Sequence, residues 1–299
     1  MIGALLTVAG TPTGSAPGGG ILYVVSTPIG NLGDVTVRAL EVLRAVPLIA
    51  AEDTRISRRL LARYEIETRA VSFHAQSGPA RLAGLLEHLR GGADLAVITD
   101  AGTPVVSDPG DDLVAAWAGE GGRVIPIPGA SAVLAAVAAS GIAGPRWGFE
   151  GFLPRSGRER QARLARIAAD DRATVIFEAP TRLGATLRDL EAVCSPDRPA
   201  AVCRELTKLH EQIVRGSLGE LVAAAADGTI PGRGEIVLVV SGARVEDRTE
   251  PHGAGATAIT AAREQVAHRI AAGERPGDAA KAVAAATGLS RRDLYQPRE

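Results

Sequence analysis

The chain has 299 residues, 46% of them apolar, and a formal net charge of −1. That length and apolar content supply a sizeable core and room for two domains, so no disulfide or metal staple is needed for folding. The near-zero net charge gives no global field toward nucleic acid, so any RNA contact must rest on local patches.

Cys194 and Cys203 stand nine apart in apolar surroundings, without the close Cys or His pairs of a structural zinc site, and read as reduced, structural thiols in a cytoplasmic protein. No metal site is expected. Lysine occurs only at 208 and 281 against 31 arginines, a bias that suits phosphate recognition and is equally the signature of a GC-rich genome. Aromatic residues make up only 3%, which argues against a base-stacking platform; if RNA is bound, its contacts should be mainly to backbone and ribose.

In chain order, residues 1–20 hold a short apolar stretch from Ile2 to Ala9, too short to span a bilayer and preceded by no basic residue. They read as a flexible tail rather than a signal peptide. Residues 21–143 form a first α/β domain with strands at Ile21 to Thr27, Leu48 to Asp53, Leu95 to Asp100 and Val124 to Ile127. Thr36, Ala39, Leu40 and Leu43 mark one amphipathic helix, and Leu82, Leu85, Leu86 and Leu89 mark a second, stopped by Gly91 and Gly92. A third helix opens at the Ala130-Ser131 turn and runs to Gly141.

Residues 144–154 read as a linker into a second α/β domain over 144–243, with strands at Ala173 to Ala179, Ala200 to Leu206 and Glu235 to Ser241 and a helix marked by Leu183, Leu187 and Leu190. Residues 244–299 form a small alanine-rich helical appendage. The fold class is α/β, in two domains.

The most informative loop is Asp100-Ala101-Gly102-Thr103-Pro104, continuing to Ser107-Asp108-Pro109-Gly110, at the carboxyl end of an apolar strand where open α/β sheets bind ligands. Pro126 to Ala132 is a second such loop, passing into a helix whose free N–H groups and Ser131 hydroxyl can hold a polar group or simply cap the helix. Neither Gly-x-Gly-x-x-Gly after a strand nor Gly-Lys-Ser/Thr occurs. Ser26 to Asp34 and Ala51-Glu52-Asp53-Thr54-Arg55 end two further strands, Asp53 either lining a cleft or capping a helix.

These segments, with Glu150 to Pro154 (Glu-Gly-Phe-Leu-Pro), Phe177 to Arg182 (Phe-Glu-Ala-Pro-Thr-Arg), Arg204 to Lys208 (Arg-Glu-Leu-Thr-Lys) and Gly234 to Val239 (Gly-Glu-Ile-Val-Leu-Val), run in order from about Ile21 to Gly242. Together they resemble the ribosomal RNA small subunit methyltransferase I family of the tetrapyrrole methylase superfamily. The resemblance implies S-adenosyl-L-methionine in the cleft between domains, a homodimer, and 2′-O-methylation of a cytidine in the decoding region of 16S rRNA within the small ribosomal subunit, with no DNA or membrane partner. By motif it places Pro28 and the loop Asp100, Ala101, Gly102, Thr103, Pro104 and Val105 on the cofactor, with Ser131, Ala132 and, from the second domain, Ala179. Two positions depart from the family pattern: Phe73 to Ser77 replaces a His-Glu-Asn type stretch, and Thr181 stands where histidine is common.

Methyl transfer to an alcohol needs alignment and removal of the hydroxyl proton, but no metal. Glu52, Asp53, Glu205 and Lys208 lie at strand ends facing the cleft; Asp53 is the favoured base, with Arg55 on RNA phosphate. Arg155, Arg158, Arg160, Arg163 and Arg166 form a basic run that reads equally as a solvated helix face or an RNA-phosphate patch. Three alternatives stand beside this reading: a tetrapyrrole (porphyrinogen or precorrin) C-methyltransferase, a non-catalytic binding protein, and a DNA-binding regulator suggested by the helix-turn-helix rhythm of Asp278 to Tyr295.

Overall fold

The computed structural model describes residues 19–106, 108–243 and 262–287. The chain divides into two compact units, residues 1–242 and 243–299. Most of the 1–20 tail lies outside the described residues.

The first unit holds two five-stranded sheets. Strands β1 (Ile21–Val25), β2 (Leu48–Ala51), β3 (Ala70–Ser72), β4 (Leu95–Ile98) and β5 (Arg123–Ile127) pair in parallel in the order β3-β2-β4-β1-β5. Helices cover both faces, and this is why β4 reads Leu-Ala-Val-Ile without polar alternation: all four residues are buried. On one face α1 (Val37–Ala45) and α2 (Thr54–Arg63) bury Ala39, Val42, Leu43 and Leu61; on the other, α3 (Pro79–Arg90) and α4 (Asp111–Gly119) bury Leu85, Leu89, Leu113 and Trp117. The helices begin where polar side chains meet their first free N–H groups. Thr36 accepts from the Ala39 amide at 3.2 Å, Asp53 from the Arg55 amide at 2.8 Å, and Pro79 opens α3 where no donor is required.

Helix α5 (Ala132–Ser140) leads from this sheet to the second, ordered β6-β7-β10-β8-β9. Its strands are β6 (Trp147–Phe152), β7 (Ala173–Glu178), β8 (Pro199–Arg204), β9 (Gln212–Ser217) and β10 (Ile236–Val240); β6 and β7 are parallel and the remaining pairs antiparallel. Val133 and Ala136 of α5 pack on Val175, Cys203, Val237 and Val239, sealing one face. Helices α6 (Gly157–Ala169), α7 (Leu183–Cys194) and α8 (Leu218–Ala226) seal the other around Leu164, Leu187, Leu190 and Leu221. Residues 147–152, read from sequence as linker, are an edge strand. Cys194 and Cys203 are both reduced and buried.

In the second unit a helix over 262–271, α9, and α10 (Pro276–Thr287) enclose a small core of Ala262, Val266, Ala279, Ala280 and Val283. The part of the suspected helix-turn-helix after Thr287 lies outside the described residues. No helix among those described is long and apolar enough to cross a membrane.

Candidate functional site

The order β4-β1-β5 sets side by side three strand ends that are far apart in sequence, and the loops leaving them are laced together. The Thr27 amide donates to the Gly102 carbonyl at 2.8 Å and the Gly102 amide donates back at 3.1 Å. Ser26 and Thr103 share a hydroxyl hydrogen bond of 3.0 Å, and the Thr103 hydroxyl reaches the Ala130 carbonyl at 3.2 Å. Gly102 has φ of +88°, and a Cβ there would meet Ile29 at 3.2 Å, so glycine alone suits the close approach.

Above these loops a cavity of about 390 Å³ opens between the two sheets. That volume falls in the range of small-molecule sites. Apolar walls come from Ile29, Val106, Val133, Phe152, Phe177 and Leu206, while Ala101 to Thr103, Ser131 at the mouth of α5, Asp108 and Glu235 supply polarity. Three of the chain's four phenylalanines gather here: Phe177 meets Phe149 edge-on at 4.9 Å and Phe152 at 5.6 Å. Phe152 remains 54% exposed on the rim.

Backbone strain concentrates on the same rim. Val105 has φ of +75°, Glu205 +51° and Thr207 +65°, a region that a β-branched residue enters only when its surroundings hold it there.

The electrostatics separate the carboxylates. Asp53 caps α2, and hydrogen bonds from the Arg55 guanidinium and amide hold its carboxyl at about 2. Asp100, which accepts the Asp53 amide at 3.0 Å, is raised chiefly by burial and then by Glu52 and Asp53. Asp108, half-buried in the cavity wall, is pushed up to about 6, first by burial and then by Glu52 and Asp100. Glu178 is fully buried and spoken for: it accepts from the Thr186 hydroxyl at 2.5 Å and from the Ala179 amide at 2.8 Å, and pairs with Arg182 at 3.2 Å.

Of the cofactor residues expected from sequence, Ala101, Gly102, Thr103, Ser131, Ala132 and Ala179 line this cavity; Pro28, Asp100, Pro104 and Val105 stand in the same loops without lining it. Asp53 and Arg55 lie outside the wall, Arg55 with 87% of its side chain exposed. Glu205 and Lys208 flank the wall residues Leu206 and Glu235. Lys208 bonds Glu205 at 2.9 Å and Glu235 at 3.1 Å, and those bonds carry its ammonium above the usual value although burial alone would lower it. Its stem lies on Gly30, where a Cβ would come within 2.4 Å, so it ties the turn after β8 to the loop after β1.

Asp108, Val106, Phe152, Phe177, Leu206 and Glu235 were not singled out from sequence. Asp108 belongs to the Ser107 to Gly110 turn, and Phe152, Phe177, Leu206 and Glu235 to the segments at 150–154, 177–182, 204–208 and 234–239, so each lay in a motif without its own role being marked; Val106 carries no such signal.

The basic run resolves residue by residue. Arg160, with 9% of its side chain exposed, pairs with Asp189 at 2.6 Å and bonds Thr186 and the Pro154 carbonyl. Arg163 is held by Glu159 at 2.9 Å and Arg166 by Glu150 at 3.2 Å. Only Arg155 and Arg158 have no ion pair among the described residues.

The family model for Tetrapyrrole (Corrin/Porphyrin) Methylases matches residues 21–222. A protein of Synechocystis sp. named ribosomal RNA small subunit methyltransferase I is 44% identical over 277 residues, covering 93% of this chain and 96% of its own. A Bacillus subtilis protein of the same name is 40% identical over 276 residues, covering 92% and 93%. Among solved structures, uroporphyrin-III C-methyl transferase from Thermus thermophilus complexed with S-adenosyl homocysteine superposes with a TM-score of 0.54 at 19% identity, covering 74% of this chain and 97% of that one.

Proposed function

Because the chain belongs to the ribosomal RNA small subunit methyltransferase I family of the tetrapyrrole methylases, we propose that it transfers a methyl group from S-adenosyl-L-methionine to the 2′-hydroxyl of a cytidine in 16S rRNA. The carrying observation is the cavity between the sheets, walled by the three laced loops and closed from the far side by Ala179 and the Phe177 cluster.

The residues present suit this cofactor. Apolar and aromatic walls accept a nucleoside, the loop from Ala101 to Thr103 with Ser131 offers its polar edges partners, and Asp108, which no cation pairs among the described residues, favours a ligand bearing positive charge. When bound, S-adenosylmethionine supplies a carbon electrophile on a sulfonium. The chain's own work is to align the acceptor, exclude water and take up the hydroxyl proton. Phe152 and Phe177 exclude water from the rim. Asp108 is better suited to the proton than Asp53: it lines the cavity and its carboxyl is pushed up to about 6, whereas that of Asp53 is bound by Arg55 and held at about 2. Glu205, Lys208 and Glu235 act through position, holding the turn that carries Leu206 against the loop at Gly30.

The finer assignments belong to the same proposal: two α/β domains meeting near residue 144, a homodimer, the assembled small subunit as acceptor, and action in the cytoplasm where ribosomes are built. The test is transfer of labelled methyl to small subunits from a strain lacking this gene, with nucleoside analysis. Label in 2′-O-methylcytidine is expected; label absent from RNA but present on a porphyrinogen offered in parallel would overturn the reading in favour of a tetrapyrrole substrate. Light scattering of the purified chain tests the dimer.

A further inference from the structure

Helix α2 turns one face to the core, burying Ser57, Leu60 and Leu61. At 100° per residue, Arg55, Arg58, Arg59 and Ala62 recur at i, i+3, i+4 and i+7 along the opposite side. All four are exposed, and the helix contains no acidic residue. Arg55 is paired only with Asp53, and the guanidinium groups of Arg58 and Arg59 meet no acceptor among the described residues.

Like charges three and four residues apart repel, so within the folded chain this stripe is unfavourable. A polyanion laid along it reverses the sign: guanidinium groups match phosphate oxygens in paired hydrogen bonds, and neutralising them releases counterions from the nucleic acid. Placement fits. The Asp53 amide at the head of α2 is bonded to Asp100, the residue that leads directly into the cavity wall at Ala101 to Thr103. The head of α2 therefore adjoins the loop that forms the cavity wall. The basic run at 155–166, the more conspicuous in sequence, has three of its five arginines paired with Asp189, Glu159 and Glu150.

We propose that the Arg55, Arg58 and Arg59 face of α2 is the surface on which the phosphates of the RNA acceptor dock. The proposal rests on the reading of RNA as substrate, and the experiment separates the two. Equilibrium binding of 16S rRNA across a salt series is measured for the parent chain, the double variant Arg58→Glu/Arg59→Glu, its milder counterpart Arg58→Gln/Arg59→Gln, and Arg155→Glu/Arg158→Glu at the start of α6 (the α6 pair), each checked for an unchanged melting temperature; methyl transfer to small subunits is measured alongside. The α2 charge reversal is expected to weaken binding about tenfold or more and to lower the log–log salt slope by about two. The neutral pair should fall between it and the parent, the α6 pair should change binding less than about threefold, and kcat at saturating RNA should hold. Unchanged affinity and slope in the α2 variants overturn the proposal, as do equal losses in the α2 and α6 pairs, which would report net charge alone. A parent chain that binds RNA through α2 yet transfers no methyl to it would sink the proposed function and leave the docking surface standing.

Discussion

Replacing Asp108 by Asn should make the protein more stable and less active at once. The Asp108 carboxyl lies at about 6 rather than 3.8 because burial, then Glu52 and Asp100, disfavour its charged form. An acid whose value is raised by folding binds more protons in the native than in the unfolded state between those two values, so stability falls as pH rises from about 3.8 to about 6 and stays reduced above. With solvent excluded that displacement corresponds to about 3 kcal/mol. The side chain is only half-buried, and screening reduces the cost to about 1.5 kcal/mol. Asparagine keeps the shape and removes the charge. At pH 8 Asp108→Asn should raise the melting temperature by roughly 3–6 °C, and at pH 4.5 the gain should shrink to about a third. Loss of the proton acceptor should lower kcat by about 10²-fold or more. Calorimetric melts at the two pH values and single-turnover methyl transfer measure both effects. A gain of equal size at pH 4.5 and pH 8, or a variant less stable at pH 8, would refute the assignment of a carboxylate raised by burial and neighbouring charge.

Other substitutions test neighbouring parts of the site. Gly102→Ala forces a Cβ toward Ile29 at positive φ and should cost about 1–2 kcal/mol in thermal unfolding while weakening cofactor binding by calorimetric titration. Phe152→Ala removes the exposed ring from the cavity rim and should raise KM about tenfold with little change in melting temperature, since little buried area is lost. Arg160→Ala breaks its bonds to Asp189, Thr186 and Pro154 and should cost about 2–3 kcal/mol in urea unfolding, against less than about 0.5 kcal/mol for Arg158→Ala. Burial pushes the Cys203 thiol up to about 11, so thiol reagents at pH 8 should label neither cysteine in the native protein and both after unfolding, read by mass spectrometry.

Legibility in the sequence followed burial. Strands covered on both faces, such as β4 and β10, are continuous apolar runs and announce themselves. The edge strands β3, β6 and β9 are mostly half-buried, and Trp-Gly-Phe-Glu-Gly-Phe mixes glycine and charge with aromatic residues, so 147–152 reads as linker until its pairing with β7 is seen. The loops of the site were legible because strand ends in an open sheet are marked by glycine, proline and small polar residues. What each side chain does there was less so. Asp53 and Asp108 are equally acidic on paper, and it is Arg55 beside the one, and burial with Glu52 and Asp100 nearby for the other, that set them at about 2 and about 6. The arginine run on α6 shows the same limit: its carboxylate partners Glu150 and Asp189 lie one on β6 and one on α7, and sequence distance conceals them.

The position of β10 carries a consequence for how the molecule is made. Among the described residues this strand is the latest of ten in chain order, yet it sits in the centre of its sheet, bonded to β7 on one side and β8 on the other. The parallel sheet has all its strands once residue 127 has emerged from the ribosome, and it can begin to close. The second sheet must wait for residues 236–240, on the order of ten seconds later at ordinary rates of synthesis. During that interval β7 and β8 have no neighbour between them, and Phe177 and Cys203 lack the strand that completes their cover. The ligand cavity is therefore the last part of this unit to be assembled, and a nascent chain stalled before residue 236 would present an open, apolar sheet to chaperones rather than a binding site.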